Sequence, residues 1–529
     1  MSDMIRKLNS TGKKRLFWSV SALAFVFIVS ARLLFAGTEM NAHLYILGFS
    51  PSDASLLWTF KSAVILMEFA VAVLALYTVL FRSFEWHRLF TVLTLSFGLL
   101  FLFTVTPLSV PDEVTHYQAI YGLSCKWLGR DAVSSYLDFS GFANHSNVST
   151  GYLRILHELG GRAADGTASA GAGNMLSDMW TLTYFVEYVP QLIGISLALI
   201  LGRNMTTAFI LGRFFNLAFY CLCVYLAVKR TPKFKLLFGL CAIMPMALQQ
   251  AASLSYDAFI DSLSILLASS LMYSVFSEDA FSVKELMYIL IPAVLLAPAK
   301  GVYSLFVMLF LFVPKRRFDS FRIRKSGVFF IILGSCAALF ALVSVPSIVN
   351  IMHSVRPGFE FTGDECYKLS YFFTSPFDAM KIFADSFDLY ISDWIASAVG
   401  KSLSTCTLSI PSWIVPVYIS CLVLSVQNRF DEHTVMPKGF RVCLIGISAF
   451  IIFAFMMTMF LAWIRNTDKI ILGVQGRYFI PIIPLLGVSL NSKLVELKRD
   501  VSKNLMIIVI LLTLRVILEI VTKTMSASV

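Results

Sequence analysis

Residues 89–117 read LFTVLTLSFGLLFLFTVTPLSVPDEVTHY. A nearly unbroken hydrocarbon run fills about twenty positions, the length that a helix needs to cross a ~30 Å apolar core. It stops at prolines and then presents an aspartate, a glutamate and a histidine. The run decides the fold class, and the way it ends poses the functional question: the acidic pair is either the start of the next helix or the working end of an enzyme.

The same apolar period recurs along the whole chain. Of 529 residues, 57% are hydrophobic and 14% charged, with a mean hydropathy of +0.77. Soluble domains are about half apolar and about a quarter charged, so the sequence specifies an all-α polytopic membrane protein. An outer-membrane barrel would alternate every second residue instead. The net charge of +11 therefore reads as Lys and Arg retained on one side of a bilayer, with no nucleic-acid partner implied.

Candidate spans are 16–36, 57–81, 88–107, 206–228, 235–252, 257–276, 284–299, 301–314, 327–346, 411–426, 440–463, 478–492 and 504–522, about thirteen in all. The first follows a basic N-terminus, lacks a clear cleavage site and reads as a signal anchor. Basic clusters occur at the N-terminus, in KRTPKFK (229–235), in PKRRFDSFRIRK (314–325) and in KLVELKRD (493–500). Placing all four inside requires that 184–202, YFVEYVPQLIGISLALILG, does not cross; Glu187, Pro190 and Gln191 suit a juxtamembrane helix. Four regions follow: 1–87 with a cytoplasmic tail and two leading spans; 88–346 with the core and a large first outer loop, 108–205; 347–410 as a second outer loop with an amphipathic helix at 376–395; and 411–529. The stretch 160–173 is rich in Gly, Ala and Ser and reads as mobile. Most of the nine cysteines lie in apolar runs and act as small hydrophobes; a bond between Cys366 and Cys406, both in the second outer loop, stays open for an oxidising compartment.

Polar clusters gather on one face. In SVPDEVTH, Ser109 could cap a helix with Asp112 completing a capping box and Glu113 facing the positive helix end. Capping accounts for the spacing. It does not account for two carboxylates and His116 at the end of a span, with Asp112 and His116 on one helical face, and both readings stand. Asp257 opens an apolar span, where an ionisable group is expensive, although it too could be an N-cap. Lys300, with Tyr303 beyond it, sits between two spans that leave no room for a loop; snorkelling to headgroups is its bland reading. Arg477, flanked by Gln475 and Tyr478, lies on the face that cations avoid and offers fork-like donors to a phosphate.

The segments PDEVTHYQAIYGL, SLSYDAFIDSLSILLAS, APAKGVYSLFVMLFLFVP and GVQGRYFIPIIPLLG, in this order, resemble the hallmarks of a bacterial family of predicted membrane proteins, domain of unknown function 2142, which belongs with the GT-C glycosyltransferases. The resemblance covers the chain from about residue 88 onward and leaves the spans 16–36 and 57–81 unassigned. It implies a GT-C-like fold whose first outer loop carries the catalytic centre and juxtamembrane helices. It also implies a polyprenyl-phosphate sugar as donor, a glycan or glycolipid as acceptor, and a site on the extracytoplasmic face of the bacterial plasma membrane. Carried onto this chain, Asp112 is the base, Glu113 and His116 are its neighbours and Asp257 is a second acid. Lys300, Tyr303, Gln475, Arg477 and Tyr478 hold the donor phosphate. A divalent cation, for which two carboxylates could supply ligands, stays open. A transporter or flippase of lipid-linked sugars could use the same cations, but it would more often show internal repeats and mid-membrane sites; a non-catalytic assembly scaffold is a third reading.

Overall fold

The computed structural model describes residues 51–81, 84–105, 107–129, 185–346, 365–404, 408–427, 436–492, 497 and 499–525. The first expected span, the Gly/Ala/Ser-rich stretch and Cys406 lie outside them. The described chain is an α-helical bundle with one two-stranded hairpin, 402–403 against 408–409. Eight of its helices are long and apolar enough to cross a membrane, with shorter apolar helices at Phe185–Ile200, Ile414–Gln427 and Gly476–Ser489.

In chain order the helices are α1 Pro51–Phe81, α2 Trp86–Thr104, α3 Glu113–Trp127, α4 Val189–Ile200, α5 Met205–Arg230, α6 Lys235–Ala242, α7 Pro245–Ala251, α8 Asp257–Phe276 and α9 Val283–Lys300. The 3-10 helix Gly301–Phe312 follows, then α10 Lys325–Leu339, α11 Pro376–Val399, α12 Ile414–Gln427, α13 Lys438–Ala462, α14 Ile483–Ser489 and α15 Ser502–Met525.

Two expected spans take unusual forms. The segment 235–252 is broken between α6 and α7 because Pro245 has no amide proton to continue the ladder. Tyrosine hydroxyls compensate, with Tyr220 donating to the Ala242 carbonyl at 3.0 Å and Tyr418 to Leu240 at 2.8 Å. The apolar stretch Val283–Phe312 is not one long rod. Ser304 Oγ donates to the Ala293 carbonyl at 3.1 Å, and the Phe310 ring lies 5.8 Å from that of Phe281, so the chain reverses at Lys300. The second arm is 3-10 throughout. At ~2.0 Å per residue its 12 residues reach ~24 Å, close to the ~27 Å of the 18-residue α arm. Lys300 is thereby fixed at the hairpin tip.

The stretch 184–202 forms a 3-10 turn, Phe185–Tyr188, and α4, which packs antiparallel against the first part of α5. A Cβ on Gly194 would sit 2.4 Å from the Leu211 carbonyl, so only glycine permits this approach. The helix is too short to reach the far end of α5. The amphipathic helix expected at 376–395 is α11, four residues longer at its C-terminus.

The bundle has two chemically distinct ends. At one, Arg317 is fully buried and forks onto Glu285 at 2.8 and 3.0 Å, while Arg230 is sandwiched between the rings of Tyr273 and Tyr288 at 4.4 and 4.3 Å. At the other lie Asp112, the start of α8 and the tip of the α9 hairpin. In sealed cells a membrane-impermeant thiol reagent is expected to label Lys401→Cys, near the second end, and to spare Ser320→Cys, as the basic clusters require; label at Ser320→Cys would invert the orientation.

Candidate active site

The site is built on a buried ion pair. Arg213, in the third turn of α5, donates from Nε and Nη2 to the two carboxylate oxygens of Glu113 at 2.8 and 2.7 Å. Its Nη1 donates to the carbonyls of Leu102 and Val105 at 3.2 and 3.0 Å, at the C-terminal end of α2, where helical carbonyls lack partners. Glu113 Oε1 also accepts the Leu254 amide at 3.0 Å. Both side chains are 0% exposed. Glu113, expected beside the catalytic base, is thus closed off from any ligand and ties α2, α3, α5 and the turn before α8 together.

With Glu113 drawn inward, Asp112 is turned out. It has φ +65° and ψ 2°, makes no side-chain cap bond, and α3 begins after it at Glu113. The capping-box reading of Ser109 and Asp112 is therefore overturned. The left-handed conformation is one that Asp and Asn tolerate better than most residues. The carboxylate is 61% exposed and accepts Arg477 Nη2 at 2.8 Å. Ser404, at φ +58°, donates to the Ser109 carbonyl at 2.9 Å and gives its amide to Gln249 at 2.7 Å, which fixes the approach to this corner from the 402–409 hairpin.

Asp257, the first residue of α8, joins the two cations. Lys300 Nζ lies 2.7 Å from Oδ1 and Arg477 Nε 3.4 Å from Oδ2. The second contact is ionic only, because Arg477 Nε has no aligned hydrogen-bond partner. Lys300 also stands 4.3 Å over the Tyr478 ring and 5.3 Å from that of Tyr256. Tyr303 is buried and donates its hydroxyl to the Tyr478 carbonyl at 2.5 Å, so it positions the strap that carries Arg477. That strap is clamped by α11: Trp394 Nε1 donates to the Val474 carbonyl at 3.0 Å, and a Cβ on Gly476 would meet the Trp394 carbonyl at 2.2 Å. Gln475 is exposed just before it.

His116 completes the wall. Its Nδ1 lies 2.7 Å from the Tyr188 hydroxyl, and its ring meets Tyr256 edge-on at 4.9 Å. Burial lowers its pKa to about 4, with the nearby charges of Asp112 and Asp257 opposing that shift. Glu187, 2% exposed, is pushed by burial up to about 8.

Asp112, His116, Asp257, Lys300, Arg477 and Tyr478 are thus brought together, with Tyr303 behind them and Glu113 apart. Arg213, Tyr188 and Tyr256 were missed, and Glu187 was read only as a topological signal. Arg213 did leave a trace, since a lone arginine in an apolar span demands an acid. Among the described residues no three His, Cys, Asp or Glu side chains are grouped to hold a metal. Asp112 and Asp257 already face cations and Glu113 is consumed, so the residues do not fit a divalent ion.

A polytopic membrane protein in which two cations from distant stretches converge on a buried aspartate at one end of the bundle is the class that these observations define. The chain belongs to the family described as predicted membrane protein, DUF2142, which matches residues 95–486. No curated protein and no solved structure matches it.

Breaking the buried pair leaves an uncompensated charge, which costs ~3–5 kcal/mol. Arg213→Met is therefore expected to lower the thermal unfolding midpoint of the detergent-solubilised protein far more than Lys300→Met, and equal midpoints would refute the anchoring role. His116 has a second signature. Its folded pKa of about 4 lies below the ~6.5 of an unfolded chain, so between these values only the unfolded state takes the proton. Stability is then lost as pH falls through that window. His116→Gln should flatten this part of the stability–pH curve.

Proposed function

We propose that this protein is a GT-C-type glycosyltransferase that moves a sugar from a polyprenyl-phosphate donor to an extracytoplasmic cell-envelope polysaccharide or lipid-linked acceptor. One observation carries the reading: Lys300 and Arg477, distant in sequence, converge on Asp257 beside an exposed Asp112 at one end of an apolar bundle. Such a corner suits a headgroup at the membrane rim with its chain in the bilayer.

In this mechanism Asp112 removes a proton from the acceptor hydroxyl, which attacks the anomeric carbon as the bond to the donor phosphate breaks. Lys300 and Arg477 offset the charge that grows on the departing phosphate. At rest Arg477 holds Asp112. A phosphate arriving at the guanidinium competes for it and frees Asp112 as the base. Glu113 acts only through Arg213, by holding the turn that presents Asp112.

The wider proposal has about thirteen crossings, in which the broken α6–α7 segment, both arms of the α9 hairpin, α12 and the 476–489 segment each count as one. It places 108–205 outside as the first loop, with α3 and α4 as juxtamembrane helices, in the bacterial plasma membrane. The transporter reading finds less support, because Asp112, Asp257, Lys300 and Arg477 lie together at one end of the bundle and none of them lies at its middle.

Asp112→Asn retains a residue that tolerates φ +65° and removes the base, so transfer is expected to fall ~10²–10⁴-fold with the unfolding midpoint unchanged. Arg477→Lys should impair transfer more than Lys300→Arg, because only the first loses a planar fork. The readout is mass spectrometry of envelope glycans from cells carrying each variant. Normal glycans with Asp112→Asn would sink the assignment.

A further inference from the structure

Among the described residues two carboxyl groups near this site are used by neither the anchoring pair nor the cation cluster: Asp261, one turn further into α8, and Glu187. Glu187 lies in the 3-10 turn before α4, 2% exposed, and its Oε1 is buried without a hydrogen-bond partner. Its direction follows from its neighbours. Gln191, in the first turn of α4, donates to the carbonyls of Leu254 and Ser255 at 3.4 and 3.3 Å. Tyr188, next in sequence, packs edge-on against Tyr256 at 5.8 Å and holds His116. The turn is therefore aimed at residues 254–257, whose Asp257 carries Lys300 and Arg477.

The charge inventory of the corner says what state Glu187 is in. Lys300 and Arg477 face Asp257 and Asp112, two positive groups against two negative. The charged groups felt by Glu187 are Lys300 from the hairpin tip and Asp257 from α8, and Tyr256 and Tyr188 around it are neutral. A further ionised carboxylate, buried and unpartnered, would be left uncompensated at a cost of several kcal/mol. A protonated one is an O–H donor, and the buried Oε1 has no partner among the described residues.

We propose that Glu187 is the second carboxyl group of this site, a hydrogen-bond donor to an oxygen of the same phosphate that Lys300 and Arg477 hold. The proposal rests on the donor-phosphate reading above and replaces Glu113, which the fold consumes, as the partner of Asp112. The two acids divide the work: Asp112, exposed and paired with arginine, accepts the acceptor's proton, whereas Glu187, buried among tyrosines, keeps its proton and binds. Glu187→Gln conserves a donor at that position but cannot ionise.

The test is the affinity of the full-length protein in detergent for farnesyl phosphate between about pH 7 and pH 9.5. The second ionisation of a phosphate ester, near ~6, is nearly complete there, and a lysine near ~10.4 has barely begun. Wild-type affinity is expected to fall toward tenfold per pH unit above about 8, as Glu187 loses its proton and repels the ligand. Glu187→Gln, which keeps a donor but cannot ionise, should give an affinity that stays nearly flat across the window. Wild-type binding that is flat, or a fall that survives Glu187→Gln, overturns the Glu187 assignment alone. If folded wild type binds no farnesyl phosphate at any pH, the donor reading fails and the assignment falls with it.

Discussion

An arginine and a glutamate with no exposed surface, Arg213 and Glu113, constrain everything at this end of the molecule. Neither charge can be buried alone, and the fork of the guanidinium has five donors to place. Four of its contacts go to Glu113 and to two carbonyls at the end of α2, and Glu113 in turn takes the amide of Leu254. The end of one span, the start of α3, the middle of α5 and the approach to α8 are thereby locked in one network. Its consequence for chemistry is indirect. Because Glu113 must point inward, the residue before it turns through a left-handed conformation, and Asp112 is presented outward toward Arg477.

The second constraint is length. The second arm of the α9 hairpin must run from Lys300 back to the other end, but only twelve residues form it before Val313 and the basic segment. Winding those residues as a 3-10 helix stretches them to nearly the length of the α-helical arm. The tip is then level with the N-terminus of α8, and the ammonium group meets Asp257. The strap bearing Arg477 is positioned separately, by Trp394 of α11 and by a glycine that lets the two backbones touch. Two separately positioned cations thus aim at one carboxylate, and elements far apart in the chain make this end of the bundle rigid.

The electrostatic pattern divides the acids of this corner by environment. Asp112 is solvated and paired with a cation, Asp257 is buried between two cations, and Glu187 has a buried Oε1 with no hydrogen-bond partner among the described residues. Burial favours the neutral form of a carboxyl group and a nearby cation favours the charged form. The same chemical group thus meets three different surroundings a short distance apart.

Hydrophobic periodicity determined a great deal by itself. Most expected spans coincide with helices to within a few residues, the run 184–202 is a short helix folded beside α5, and basic segments 229–235 and 314–325 share one end, because each property depends on local composition. The candidate residues at 112, 257, 300 and 477 were legible for a related reason: a charge at the edge of an apolar run needs a partner wherever the fold supplies one. What the sequence could not fix is which partner. Glu113 and Asp112 are adjacent and chemically alike, and capping fitted both equally well. Only the packing of α5 against α2 and α3 placed Arg213 within reach of one of them. That choice sent Glu113 into the anchor and left Asp112 for the site. Glu187 was hidden in the same way: its role depends on a turn before α8 that is distant in sequence, and the cost of burying a carboxyl group is set by its surroundings in three dimensions.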